Sequence, residues 1–594
     1  MNMPHVKSLP NDDSFAKQTA SSKSGWVRSV LPAIALVALV YLVTLTLSPL
    51  DGFWTTDDAN KFLQMQAIIS SNGQDATLPW PGHTIDPSYK YNPVPDPFTR
   101  VYQGKLYSIF PPFFATVTAS FYKQLGFAGL YVLPLVSSLL LLVGLGRIAF
   151  AVTGRTEVQR LAILLAGLCT PLWFYSVVFW EHIVAASCGI WCIFFFLRYI
   201  KRERLADLVI GDLLLTLAIY FRDEMYLFAA VVIIAVAASS RTMRIPRAVL
   251  SFALVTLAIV PLWIFQAGMI ASPMGHHLGD YFLSVSKVKQ HILERPQVLF
   301  SLFLAASPVV WISILMSSPF IVALFLKPAS SGKALLPALS AVAAACSLAY
   351  LAGLQSADSV IMYILRSCNS FFVAAPVVIL GCIRLGTTAE DEIDSRRIRW
   401  LWATFVAYAL IYTLAAQGGG LRGIHWGNRY VLILYPVLAL LAAINIACWS
   451  RRLGPGQRSW RIPIILLIII SFSVQWFSIQ VLNRKKEFSS RLNHALENAS
   501  EKVIITDQWW AGQEMYSQFY RKLVFCARSP QDMEELANRL ASAGVTQFIY
   551  ATTSAGSGQW PGSTIVDNGL NFYSLKLCSG KINVSGAKPE SPRM

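Results

Sequence analysis

Long apolar runs recur along most of this chain, and they limit its possible folds more than any other feature. A typical run has roughly 17 to 25 residues, the length of helix that crosses about 30 Å of hydrocarbon. Lipid offers an open backbone no hydrogen-bond partners, so the spanning segments must be helical. The runs predict a polytopic α-helical membrane protein with about 13 transmembrane helices. The candidate spans are 27–47, 128–152, 160–178, 183–199, 206–220, 225–239, 248–270, 298–326, 334–354, 359–383, 400–416, 430–449 and 462–482.

The composition excludes a water-soluble globular fold. Of the 594 residues, 55% are hydrophobic and only 14% are charged, and the mean hydropathy is +0.51. The net charge of +17 comes from basic residues in short clusters between the apolar runs. Such clusters set membrane topology, so we expect no nucleic-acid partner.

The basic clusters alternate with connections that carry few basic residues. The clusters include Arg155 and Arg160, Arg241 to Arg247, and Arg451 to Arg461. By the positive-inside bias these lie in the cytoplasm with the N-terminal tail, 1–26, which we expect to be disordered. The first run lacks a convincing cleavage site, so we predict a retained anchor. This topology is typical of a multi-pass protein of the bacterial inner membrane with its C-terminus in the periplasm.

Two large pieces then fall on the outer side of the transmembrane region, 27–482. The first is the loop 48–127, in which "DDANKFLQMQAIISS" has the spacing of an amphipathic helix lying along the membrane surface. The second is 483–594, where four strand-like segments and the helix pattern "SPQDMEELANRLASAG", with Ser529 as its cap, predict a small α/β domain. Cys526 and Cys578 fall at strand ends of that domain, which leaves a disulfide open.

Asp57 and Asp58 stand side by side just after the first span. One interpretation is helix capping, with Thr56 or Asp57 as the cap and Asp58 in the first turn. The other is a general base, or a ligand for a divalent ion, held at the level of the lipid head groups. The two interpretations are compatible, because a capped carboxylate is also a positioned one.

Two tight outer turns also carry ionisable residues, which are costly at the edge of a membrane. "FWEH" places Glu181 and His182 in one turn, either as ordinary turn residues or as ligands for sugar hydroxyls or a metal. "FRDE" places Arg222 beside Asp223 and Glu224 in the other. This arginine either pairs with the neighbouring acids or binds phosphate.

Later outer positions add more basic candidates. Arg366 lies near the outer end of a span, where it either snorkels to the surface or meets a phosphate. The stretch "GGGLRGIHWGNRY" brings His425 and Arg429 to the start of a span, as an anion site at a helix N-terminus or as a structural turn. A histidine pair at 276–277 is weak support for a metal site.

An acidic pair and helix directly after the first span, followed by "YSIFPPFF", resembles the polyprenyl-phosphate-sugar-dependent glycosyltransferases of the GT-C superfamily. "FWEH", "FRDE" and "GNRYVLILYPVLALL" are similar to outer turns and a late span of its bacterial members. Protein O-mannosyltransferases and the aminoarabinose transferase acting on lipid A belong to that superfamily. The resemblance implies that Asp57 is the catalytic base, and that Arg222, Arg366 and Arg429 hold the lipid phosphate. The family usually has Asp-Glu where this chain has Asp-Asp.

The resemblance implies transfer of a sugar from a polyprenyl phosphate to a hydroxyl of a lipid, glycan or protein acceptor, with inversion. We expect the residues around this site to bind the donor phosphate or sugar: Arg222, Arg366, Arg429, Glu181, His182, Glu224 and His425. Some relatives need a divalent cation, so Mg²⁺ or Mn²⁺ on Asp57 and Asp58 stays open. An O-antigen ligase or polymerase is one alternative. A lipid or glycan transporter is another, although no internal repeat or mid-membrane helix break favours transport.

Overall fold

The computed structural model describes residues 30–239, 244–272, 294–303, 370–383, 394–416, 425–452, 461–553, 563–572 and 575–582. Arg366, the histidine pair 276–277, the predicted span 334–354 and most of 298–326 lie outside these residues. Within them the helices are α1 (Val30–Thr46), α2 (Thr56–Ser70), α3 (Phe113–Leu125), α4 (Val132–Thr153), α5 (Thr156–Leu168), α6 (Leu172–Ser176), α7 (His182–Arg202), α8 (Leu205–Phe221), α9 (Met225–Ser239), α10 (Arg244–Ile270), α11 (Arg295–Phe303), α12 (Phe371–Ala374), α13 (Ser395–Ala415), α14 (Leu434–Arg452), α15 (Arg461–Glu497), α16 (Ala511–Glu514) and α17 (Pro530–Ser542).

Apolar helices dominate the described part of the chain. Six of them are long and apolar enough to cross a membrane, and two shorter apolar helices, α1 and α9, accompany them. Large apolar side chains such as Leu39, Leu257 and Ile465 are more than half exposed on their helices. In water this exposure would be unfavourable, whereas in lipid it costs nothing. The chain is an integral, polytopic membrane protein, and the number of about 13 spans stays a prediction.

Two predicted spans are not continuous helices. The run 160–178 is divided between α5 and α6, because Pro171 disfavours helical geometry at the residue before it. In 359–383, the residues from 370 onward form α12 and a 3-10 helix, Pro376–Gly381. Pro376 again marks the break, since Ala375 has φ −145° and ψ 74°. The sequence interpretation was wrong at both places because it weighed hydrophobicity above proline geometry.

The loop 48–127 is packed against the rest of the protein, so helix α2 is not a surface helix. Ten of the fifteen residues of α2 are buried, including the polar Asn60, Lys61 and Gln64. Asn60 Nδ2 donates to Phe98 O at 3.0 Å, and Gln64 Nε2 donates to Phe110 O at 2.8 Å. The prediction of an amphipathic surface helix was therefore wrong. The polar side chains of α2 bind the loop that follows, which contains the hairpin of β1 (Thr99–Tyr102) and β2 (Lys105–Ser108).

The C-terminal part forms a five-stranded sheet with helices, as the sequence predicts. Its strands are β3 (Val503–Thr506), β4 (Leu523–Cys526), β5 (Gln547–Thr552), β6 (Ser563–Phe572) and β7 (Leu575–Ile582). The strand order is β4-β3-β5-β7-β6. Strands β4, β3 and β5 pair in parallel, whereas β7 pairs antiparallel with both of its neighbours, β5 and β6. The predicted cap of α17 is present, since Asp532 N donates to Ser529 Oγ at 3.1 Å.

The two cysteines of this sheet, Cys526 and Cys578, do not form a disulfide with each other. Cys526 lies on β4 and Cys578 on β7, and β3 and β5 separate these strands. Three strand spacings of about 4.8 Å put the two residues far beyond disulfide reach.

Helix α15 joins the membrane part to the sheet. Its 37 residues extend for about 55 Å, nearly twice the hydrocarbon thickness. Phe488, Leu492 and Leu496 near its end pack with Ile504 of β3, whereas Val503 and Ile505 belong to the main core on the other face. The helix thus runs through the predicted boundary at residue 483 and covers one face of the sheet.

The loop 48–127 docks on the same unit. Trp80 Nε1 donates to Val524 O at 3.0 Å, and Cys526 N donates to Tyr91 O at 2.9 Å. A Cβ added at Gly512 would lie 2.0 Å from Pro93 O, so only glycine permits this approach. The loop that carries the acidic pair is consequently held between the helices and the C-terminal sheet.

Candidate active site

The site forms where the start of α2 meets the segment before α14. Arg429 begins a 3-10 helix, Arg429–Val431, which Asn428 caps by accepting from Tyr430 N at 3.2 Å. Arg429 Nη1 donates to Asp57 Oδ2 at 3.0 Å. Residues 372 positions apart thereby form one ion pair at the first turn of α2.

Two aromatic rings hold the guanidinium of Arg429. It lies 4.8 Å from the ring centre of Trp180 and 5.0 Å from that of Tyr430. Arg429 Nη2 also donates to the Tyr430 hydroxyl at 3.0 Å. Cation–π contacts of this kind position a cation without neutralising it.

Asp58 has a different role from its neighbour. It is 1% exposed, and its carboxylate accepts from Trp54 N at 3.2 Å and from Thr55 Oγ1 at 3.3 Å. Burial raises the pKa of Asp58 well above its usual range, partly offset by Lys61 and reinforced by the charge of Asp57. The predicted cap, Thr56 or Asp57, was wrong, because Thr55 is the N-cap residue and makes no side-chain cap hydrogen bond. Asp58 lies in the first turn as predicted, and its carboxylate turns back to the residues before the helix.

A second ion-pair network lies beside the first. Glu181 accepts from Lys61 Nζ at 2.6 and 2.9 Å and from Arg222 Nη1 at 2.7 Å. Arg222 also donates from Nε to both oxygens of Glu224, at 3.0 and 2.9 Å. The expected pairing of Arg222 with an acid of its own turn is present, and it extends across the protein to α2.

The charges of this network shift the pKa values of its acids. Burial would raise the pKa of Glu181, but Lys61 and Arg222 outweigh it and lower that pKa to about 2. Asp223 makes no such ion pair with any described residue; burial raises its pKa to about 7, Arg222 partly offsets this increase, and Glu224 and Glu181 add to it. Glu181 is therefore ionised at neutral pH, while Asp223 holds its proton to a higher pH than an ordinary aspartate.

Two buried histidines complete the surroundings. His182 is 2% exposed and packs against Trp180, Tyr175 and Tyr430, with ring centres 5.1 to 6.5 Å away. Among the described residues, no hydrogen-bond partner reaches either of its ring nitrogens. His425 is equally buried, with its ring centre 6.2 Å from that of Tyr430. Both histidines thus lie beside Tyr430, one of the two aromatic rings, Trp180 and Tyr430, that hold Arg429.

The structure brings most of the predicted site residues together. Asp57 pairs with Arg429, and Glu181, Arg222 and Glu224 form the adjoining network; Arg366 lies outside the described residues. The described residues contain no group of three or more histidine, cysteine, aspartate or glutamate side chains arranged to hold a metal ion. Asp57 and Asp58 bind different protein groups, so they do not fit a shared metal site.

Sequence reasoning missed Lys61 and Trp180. Lys61 lies one turn after Asp57 on α2, and the spacing i, i+4 could have suggested a cation on the same side of the helix. Trp180 directly precedes the predicted Glu181 in "FWEH". Its contact with Arg429 has no sequence signal, because the two residues meet only in the folded chain.

Comparisons with known proteins give a consistent result. No protein-family model and no curated protein matches this chain. The crystal structure of ArnT from Cupriavidus metallidurans in the apo state matches with 11% identity over 94% of this chain and 98% of its own, with a TM-score of 0.50. The same protein bound to undecaprenyl phosphate matches with 10% identity over 95% and 99%, with a TM-score of 0.51.

At such low identity, similarity over nearly the whole length shows a shared fold but does not show a shared activity. The predicted polytopic helical membrane fold is thereby confirmed, while the role of each site residue still has to be argued from this chain. The chain therefore has the fold of ArnT from Cupriavidus metallidurans.

Proposed function

We propose that this protein is a membrane glycosyltransferase that moves a sugar from a polyprenyl phosphate to an acceptor hydroxyl. One observation carries the proposal: a carboxylate and an arginine, Asp57 and Arg429, meet at 3.0 Å where the outer loop joins the membrane helices. Inverting transfer from a sugar phosphate needs these two groups, a base for the attacking hydroxyl and a cation for the departing phosphate.

In the proposed reaction, Asp57 accepts the proton of the acceptor hydroxyl. The hydroxyl oxygen attacks the anomeric carbon from the face opposite the phosphate, forming the new glycosidic bond with inversion. The bond between this carbon and the phosphate oxygen breaks, and its electron pair leaves with the polyprenyl phosphate. Arg429 stabilises the negative charge that develops on that oxygen.

The second network supports this arrangement. Lys61 and Arg222 neutralise Glu181, which fixes α2 against the turns that precede α7 and α9. His182 contributes ring nitrogens with no partner among the described residues, suited to a sugar hydroxyl or a phosphate oxygen. We assign to Arg222, Glu224 and His425 the positioning of the donor around this centre.

The comparison supports the class of donor. ArnT, which shares the fold over nearly the whole chain, has been crystallised with undecaprenyl phosphate. We propose that a lipid of the same class, a polyprenyl phosphate, carries the sugar to this protein. Its phosphate would lie at the extracytoplasmic face of the membrane and its tail between the helices. The acceptor is a lipid, a glycan or a protein that reaches the same surface.

Cell-envelope glycans provide the test of this function. A deletion strain is complemented with wild type, with Asp57→Asn, or with Glu157→Gln as a control that changes an exposed ion pair with Arg451. Mass spectrometry should show one sugar modification that wild type and Glu157→Gln restore and Asp57→Asn does not. Identical glycans in the deletion strain and the wild type would refute the proposal.

A further inference from the structure

Of the three cations in the site, Arg429 is the one whose carboxylate partner can be replaced most easily by another anion. Its guanidinium is held by Trp180 and Tyr430 and meets Asp57 through a single Nη1 to Oδ2 contact. Its Nε is buried and, among the described residues, has no acceptor within hydrogen-bond distance. The aromatic rings would keep the guanidinium in place if Asp57 moved away.

The other two cations are bound more firmly. Lys61 contacts both oxygens of Glu181, and Arg222 bridges Glu181 and Glu224. The side chains of these two glutamates are 4% and 9% exposed, whereas that of Asp57 is 17% exposed. A buried carboxylate with two cationic partners is costly to separate from them, and a more exposed one with a single contact is not. Asp57 is therefore the acid that an incoming anion can displace.

The pairing also restrains Asp57 as a base. A carboxylate oxygen that accepts a charged hydrogen bond from arginine holds its lone pair in that bond, so this oxygen is not placed to accept the hydrogen of an acceptor hydroxyl. A phosphate competes well for the same arginine, because it carries more charge and can use two guanidinium nitrogens at once. Binding of one anion to Arg429 would thus release the other.

We infer that the phosphate of the donor replaces Asp57 on Arg429, so that Asp57 becomes available as a base only when donor is bound. This inference rests on the proposed function and adds a regulation to it. In the absence of donor, Asp57 serves as the internal counter-ion of the phosphate site. The positioning residues for this exchange are Trp180 and Tyr430, which hold Arg429 while its anionic partner changes.

Binding of undecaprenyl phosphate to the purified full-length protein in lipid nanodiscs tests the exchange, with native mass spectrometry as the readout. Asp57→Asn removes the competing charge, so we expect it to bind undecaprenyl phosphate about tenfold more tightly than wild type. Asp57→Ser, a second variant without the charge, should behave in the same way. If Asp57 only supported the fold, both substitutions would weaken the binding of undecaprenyl phosphate instead. Undecaprenol, which lacks the phosphate, should bind wild type and both variants equally.

Two further variants complete the design. Glu157→Gln removes a distant, exposed acid and should leave the affinity for undecaprenyl phosphate unchanged. Arg429→Gln should weaken binding, and adding Asp57→Asn to it should no longer tighten binding, because the shared arginine is gone. Tightening by Asp57→Asn that persists without Arg429 would overturn the exchange.

Folded Asp57→Asn and Asp57→Ser proteins that bind undecaprenyl phosphate no more tightly than wild type would also overturn the exchange. That result would leave the proposed transfer reaction intact. Failure of the wild type to bind undecaprenyl phosphate at all would instead count against the proposed function. The two failures are therefore distinguishable.

Discussion

The two adjacent carboxylates in "TTDDANK" have different environments. They are consecutive residues of helix α2, so their side chains leave the helix in different directions. Asp58 turns back toward Trp54 and Thr55, while Asp57 faces Arg429. The sequence predicts both capping and acid chemistry at this position, but it does not say which residue does which. That division depends on Arg429, which lies far away in the chain and reaches the site only through the fold.

At the residue scale, Glu181 is the acid whose loss should cost most. Changing Glu181 to Gln leaves Lys61 and Arg222 buried with less compensating charge, and we expect unfolding free energy to fall by about 3 to 5 kcal/mol. Chemical denaturation of the purified protein measures this change. The control is Glu157→Gln, whose exposed pair with Arg451 should contribute about 0 to 1 kcal/mol. Equal effects of the two substitutions would contradict the assignment.

The same residue gives an expected pH dependence. The pKa of Glu181 is about 2 in the folded protein and about 4.3 in an unfolded chain. A lowered pKa means that the stabilisation is complete above the unfolded value and is lost as pH falls toward 2. Between these values the stability of wild type should fall more steeply with acid than that of Glu181→Gln. Parallel curves in this range would be inconsistent with the network.

Asp223 should show the opposite behaviour. Its folded pKa of about 7 lies above the unfolded value, so the folded state holds a proton that the unfolded state has lost. Stability should therefore decrease as pH rises from about 4 to 7 and stay reduced above that. Asp223→Asn should have a higher Tm than wild type at pH 8, and the difference should shrink at pH 5. A Tm difference that does not depend on pH would exclude this account.

At the element scale, helix α2 owes its position to the segments on either side of it. Sequence periodicity predicts the helix itself, but its polar face is covered by the loop that follows instead of by water. Burial of that face cannot be predicted from periodicity, because it depends on partners more than thirty residues away. The broken spans at Pro171 and Pro376 could have been predicted, since each proline marks the break directly.

Gly52 fixes the approach of the acidic pair to α15. A Cβ at this position would lie 2.0 Å from the carbonyl oxygen of Lys486. Gly52→Ala should therefore push the segment before α2 away from α15, lowering unfolding free energy by about 1 to 3 kcal/mol and reducing transfer. Gly268→Ala is the matched control, because nothing lies within 4 Å of its added Cβ. Denaturation of both variants measures the difference, and equal stability would refute the close contact.

At the scale of the whole molecule, hydrophobicity and charge predict a polytopic protein with an outer loop and a C-terminal α/β unit. The described structure confirms the membrane helices and the sheet. The docking of the loop on the sheet, through Trp80 and Tyr91, carries no sequence signal. The reason is physical, since such contacts use backbone carbonyls and ordinary aromatic residues.

The sidedness of this arrangement is a prediction for labelling. Single cysteines are introduced at Gln103 and Gln547, which are exposed on the loop and the sheet, and at Arg202, the exposed last residue of α7, which we predict to face the cytoplasm. In spheroplasts, a membrane-impermeant maleimide should label the first two and should reach the third only after the membrane is opened. Wild type gives the background from native cysteines. Labelling of Arg202→Cys in sealed spheroplasts would reverse the topology.

The central claim is that Asp57 is the base of a transferase that uses a polyprenyl-phosphate sugar. The most direct measurement is the release of undecaprenyl phosphate by purified wild type, Asp57→Asn and Asp58→Asn, given the lipid-linked sugar and acceptor identified from the envelope glycans. We expect Asp57→Asn to lower the transfer rate about 10²- to 10⁴-fold although it binds the donor at least as tightly as wild type, and Asp58→Asn to lower it less. Full transfer activity in folded Asp57→Asn would contradict the account.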